Sequence, residues 1–158
     1  MTTISAHRTL RRTVAAGIAV TVAAVPLALA VAPAQAATGS GCTVTPLRPV
    51  FAGFNSSGVK QVRYRVTATC SSNRVLTVEQ RRYEDDASPD PDDFLGSSVL
   101  VHSFSGGATV TLSTTRSLPD TEPGNEEIYQ RIRFRVSSNG VTSAWTGWQN
   151  SPILSIPN

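Results

Sequence analysis

The chain has 158 residues, with 14 Lys and Arg against 11 Asp and Glu, two Cys and two His. Three of the cations, Arg8, Arg11 and Arg12, precede residue 37 and no carboxylate does, so the rest of the chain balances at 11 against 11. The basic whole-chain pI therefore gives no support to nucleic-acid or anionic-membrane binding, and a single histidine after residue 36, His102, excludes a multi-histidine metal site.

From the amino terminus, the basic residues lead into an Ala/Val/Leu-rich run over 13–32 and then into Ala34-Gln35-Ala36. That order reads as a secretory signal peptide over residues 1–36 with a small-residue cleavage site. Pro26 and Pro33 interrupt the run, which argues against a spanning anchor. Arg11-Arg12 leaves both the general and the twin-arginine export routes open. Residues 37–158 are then one exported domain, with no membrane association after signal removal. They are long enough to enclose a core of their own. Cys42 and Cys70 both lie in this part, and in an oxidising compartment they are expected to form a structural disulfide.

Short β-rich runs separated by turn chemistry fill the exported part, and no stretch holds a helical period. Strands are expected near 42–50, 59–70, 74–84, 97–105, 108–115, 126–138 and 141–156, the last broken by Pro152. In the second, Val62, Tyr64, Val66, Ala68 and Cys70 share the core face and Arg63, Arg65, Thr67 and Thr69 the other. Cys42 has the parity of Val44, so the bridge should pin the first strand to the second. In the third strand Leu76 and Val78 point inward and Thr77, Glu79, Arg81 and Tyr83 outward. In the sixth, Ile132, Phe134 and Val136 alternate with Arg131, Arg133 and Arg135, and Asn139-Gly140 supplies the positive φ angles of a two-residue hairpin turn. The fold class is all-β, a seven-stranded antiparallel sandwich with one disulfide.

The Leu-Pro-x-Thr turn at 118–121 and the run Arg-Phe-Arg-Val-Ser-Ser-Asn-Gly that ends at Gly140 resemble a fibronectin type III, immunoglobulin-like domain. Tyr129 departs from that pattern, being out of phase with Ile132 and Phe134 for the fold's tyrosine corner. Trp145-Thr146-Gly147-Trp148 resembles a degenerate Trp-Ser-x-Trp-Ser box of cytokine-receptor fibronectin domains, in which Trp rings interleave with Arg side chains of the neighbouring strand. The resemblance implies a stack of Arg131, Arg133 and Arg135 on Trp145 and Trp148. Trp145 and Trp148 differ in strand parity, so a shared face calls for a bulge or twist at Gly147.

Catalytic signals are absent from the sequence. His102 has Ser103 and Ser105 beside it but no Gly-x-Ser-x-Gly, and no phosphate-binding or cofactor motif occurs, so no cofactor or catalytic residue is expected. Glu84-Asp85-Asp86 and Asp90-Pro91-Asp92-Asp93 fit no EF-hand spacing and read as a solvated acidic loop rather than a metal site. A second acidic group, Asp120, Glu122, Glu126 and Glu127, is a candidate to oppose the arginine ladder in a partner or an adjacent molecule. The expectation is a secreted, extracellular, non-catalytic interaction or structural domain whose partner is a protein or a cell-surface glycan. The alternatives are a carbohydrate-binding module using Trp145, Trp148 and Tyr83, or a secreted protease inhibitor presenting the loop 87–93 or 119–125.

Overall fold

The computed structural model describes residues 35–86, 91–118 and 124–157, and every regular element among them is a strand. β1 (Ala37–Gly39), β2 (Cys42–Pro46), β3 (Val50–Phe54), β4 (Lys60–Cys70) and β7 (Ala108–Ser117) form one antiparallel sheet. β4 is its centre, with β7 along one side and β2 followed by β3 along the other. The second sheet holds β5 (Arg74–Glu84), β6 (Asp93–Phe104), β8 (Glu126–Ser138) and three short runs, β9 (Val141–Thr142), β10 (Gln149–Asn150) and β11 (Leu154–Ile156). There β5 lies between β6 and β8, and the three short runs pair in turn with β8.

The strand expected over 42–50 is two strands, because Pro49 has no N–H to give a ladder and the chain steps off β4 at Leu47 before resuming as β3. The strand expected from residue 97 begins at Asp93, which pairs with Glu84 across a β-bulge at Arg82/Tyr83. Gly96 at that bulge has φ +125°, and a Cβ there would lie 2.7 Å from Arg82 Nη2. Its missing side chain lets the Arg82 guanidinium pass to Ser98 Oγ at 2.9 Å. At the hairpin, Asn139 (φ 51°) and Gly140 (φ 77°) both take the left-handed conformation, as the primed turn requires.

Cys42 stands directly opposite Cys70 in the β2–β4 ladder and is disulfide-bonded to it, so the bridge ties two strands of one sheet. Around it Val44, Val66 and Ala68 from the first sheet meet Leu76, Val78, Phe104, Ile132, Phe134 and Val136 from the second in one buried cluster. A smaller cluster, Val62, Tyr64, Leu118, Ile128 and Ile156, lies further along the same strands.

Polar side chains interrupt this interior. The inward positions of β8 read Val136, Phe134, Ile132, then Gln130, Ile128 and Glu126; those of β5 read Leu76, Val78, then Gln80, Arg82 and Glu84, and all are buried. Glu84 is thus a buried strand residue and not part of a solvated loop. Glu126 is 1% exposed, with Oε1 3.8 Å from Lys60 Nζ. It cannot oppose the arginines from a surface patch, because alternation along β8 turns it to the same side as Ile128. Tyr64, buried between the sheets, has its phenol pushed up to about 12 by burial, partly offset by the charge of Arg82.

Candidate functional site

The outward positions of β8 and β5 face each other in pairs: Arg135 with Thr77, Arg133 with Glu79, Arg131 with Arg81, and Tyr129 with Tyr83. Two cations opposite each other, as at Arg131 and Arg81, are unfavourable on a bare sheet. Here aromatic rings from 145–148 lie among them. Arg135 sits 4.8 Å from the Trp145 centroid and Arg133 4.9 Å from it. Arg133 also lies 4.7 Å from Trp148, Arg81 4.6 Å and Arg131 6.0 Å. Arg131 in turn lies 5.9 Å from Tyr83. Cation and ring therefore alternate down the face in the order Arg135, Trp145, Arg133, Trp148, Arg131, Tyr83. Tyr83 stacks on Tyr129 at 5.5 Å and meets Phe94 at 5.5 Å.

Two features of this face were not read from the sequence. One is Glu79, whose carboxylate accepts from Arg133 at 2.7 Å and from Arg81 at 3.1 Å, holding both guanidinium groups over Trp148. The register that places Glu79 opposite Arg133 was its signal. Burial alone would raise the Glu79 carboxyl, but hydrogen bonds and charge from Arg133 and Arg81 outweigh it and hold the pKa below the ordinary carboxylate value.

The other is how the two Trp rings come to share a face. Ser143 N donates to Val136 O and Ser143 Oγ accepts from Val136 N; Thr146 repeats the exchange with Phe134, and Gln149 pairs with Ile132. Three residues of this segment thus advance against two of β8, roughly 6.7 Å, so the chain is contracted relative to a strand and residues three apart point the same way. Ser143, Thr146 and Gln149 turn to β8, and Trp145 and Trp148 turn to the arginines. Side-chain hydroxyls take the place of main-chain carbonyls, and Ser151 Oγ does so again for Gln130 N at 3.1 Å. The contraction that spans Gly147 does not depend on a glycine there, since its φ is not left-handed and a Cβ would meet nothing within 4 Å. Gly147→Ala should therefore leave stability within about 0.5 kcal/mol of wild type, or raise it slightly by restricting the unfolded chain. Urea denaturation measures this, and a loss above about 1 kcal/mol would show that the glycine is needed.

At the end of this face Tyr129 donates a hydrogen bond to the Asp92 carboxylate, and Asp85 N donates to Glu127 O at 2.6 Å. Burial, then the charges of Asp92, Glu127 and Asp86, raise the Asp85 carboxyl. Asp90 of the first acidic group, and Asp120 and Glu122 of the second, lie outside the described residues, as do most of the two proposed inhibitor loops. His102 stands on β6 with its ring 4.8 Å from Phe104, edge to face. Comparison of the chain with protein-family models and with curated proteins finds no match.

Arg133 is the pivot of the stack, with a ring on either side and a carboxylate at its fork. Arg133→Ala should cost about 1–2 kcal/mol through lost stacking, ion pairing and stem packing, and Arg135→Ala, which has one ring and no carboxylate, less. The same comparison at low pH carries a sign. Because the folded pKa of Glu79 is depressed, its contribution is present above the unfolded value of about 4.3 and is lost as pH falls through the folded one. The penalty of Arg133→Ala should shrink below about pH 4. A penalty unchanged down to acid would mean that the rings alone, and not Glu79, hold the guanidinium.

Proposed function

We propose that the chain is a secreted, non-catalytic domain of the fibronectin type III, immunoglobulin-like kind, acting through contact with other macromolecules. The two-sheet arrangement supports this: β1 to β4 and β7 form one antiparallel sheet and β5, β6, β8 and the broken 141–156 run the other, an arrangement compatible with the sandwich of that fold. The box-like Trp-Thr-Gly-Trp segment docked through hydroxyls on the neighbouring strand supports it too. A disulfide in a small domain agrees with export, and β1 begins at Ala37, so cleavage after Ala36 would leave the first strand whole.

The contact reading is favoured over a carbohydrate one by the guanidinium groups that lie over both indoles. A sugar stacking there would have to displace a charge held by Glu79. Titration of cell-wall and chitin-type oligosaccharides into the exported chain should leave Trp fluorescence unchanged. Saturable quenching that Trp148→Ala abolishes would replace this proposal with glycan binding.

A further inference from the structure

The edges of this sandwich are not alike. β1 is three residues long, β3 is short and bulged against β4, and the run along β8 is broken into three pieces. Each of these is a way of blunting a free edge. β6 and β7, in contrast, are long strands that pair on one side only among the described residues. β7 carries Thr109, Thr111, Ser113 and Thr115 on its outer face, a hydroxyl row suited to water. β6 carries Val99 and Val101, 64% and 62% exposed, with Phe94 at 58% and Val75 of β5 alongside. After Asp93 it has no carboxylate, lysine, arginine or proline, and its bulge lies at Gly96, leaving 98–104 regular. Arg82 occupies the carbonyl of Ser97 at 3.4 Å, which marks where the open edge begins.

The geometry points to β6 as the interface of a homodimer, in which two copies pair β6 antiparallel about a two-fold axis and continue the second sheet from one molecule into the next. A second copy fits this edge for three reasons. Antiparallel pairing about the middle of 98–104 keeps strand parity, so Val99 and Val101 of both copies fall in one stripe on the same face. Like charges do not meet, because His102 is the only titratable side chain in the stretch. The exported chain is balanced at 11 cations and 11 carboxylates, so net charge does not oppose self-association. The inference stands apart from the proposed function, since a dimer of this kind forms whatever the domain contacts elsewhere.

Analytical ultracentrifugation of the exported, disulfide-bonded chain tests it. A single strand pair lies at the low end of stable interface sizes, so the dimer should grow in between about 5 and about 500 µM. The double variant Val99→Lys/Val101→Lys, at positions already exposed, should stay monomeric throughout while keeping the wild-type circular dichroism and melting temperature. Thr111→Lys on the β7 edge should dimerise like wild type. A wild-type chain that remains monomeric at the highest concentration overturns the proposal, including the case in which its β6 edge instead captures an extended segment of another protein. So does a dimer that survives the double lysine variant, or one that Thr111→Lys dissolves equally.

Discussion

Loss of the Cys42–Cys70 bridge is expected to lower the stability of the β-domain by about 3–4 kcal/mol, the chain-entropy value for closing a loop of this length. The two residues are 28 apart in sequence and 1% and 3% exposed. The bridge joins opposed residues of one sheet, so its removal does not unclasp the two layers. It frees β2, and with β2 the short β1, whose partner β2 is. Native-state hydrogen exchange on the Cys42→Ala/Cys70→Ala variant should therefore show protection lost first along β1 and β2, while β5 and β8 stay protected. Urea denaturation of the oxidised and reduced wild type gives the magnitude without the cavity that alanines would add. Equal stability in the two states would show that the ladder, not the bridge, fixes β2.

What the sequence disclosed was what alternation discloses. Val62 to Cys70 and Ile132 to Val136 lie on the buried face their parity assigns, because a strand with one face buried has no freedom to slip by one residue. The same rule applied to β5 and β8 also turns Gln80, Arg82, Glu84, Gln130 and Glu126 inward. Polarity argued the other way for Glu84 and Glu126, and parity won: a carboxylate at a strand end follows its backbone when Lys60 lies within 3.8 Å to accompany it, as at Glu126. The Trp segment defeated the period-two reading for a different reason. Ser143, Thr146 and Ser151 supply acceptors from their side chains, so the backbone there need not be a strand in order to satisfy β8. A hydroxyl at 143 and 146 with Trp at 145 and 148 is a period of three, and that was the available signal.

Gln130→Ala is expected to cost about 3–4 kcal/mol, more than any single change on the arginine face. Gln130 is fully buried between the two apolar clusters. Its Nε2 donates to Leu47 O at 2.7 Å and Arg65 O at 2.8 Å, and its Oε1 accepts from Gln80 Nε2 at 2.6 Å. Gln80 Oε1 in turn accepts from Thr114 Oγ1 at 2.8 Å. This chain of bonds connects both sheets and satisfies Leu47 O just where the backbone steps off β4 between β2 and β3. Alanine removes a side chain's volume and takes the partner from Leu47 O and Gln80 Nε2, while Arg65 O keeps its bond from Leu47 N. A double-mutant cycle separates the two contributions. Gln80→Leu and Gln130→Leu each preserve volume but orphan the other amide, so each alone should destabilise, and together they should cost less than the sum by about 1 kcal/mol or more. Strict additivity in urea denaturation would mean that the two glutamines merely fill space, and that the polar layer is not what aligns the sheets.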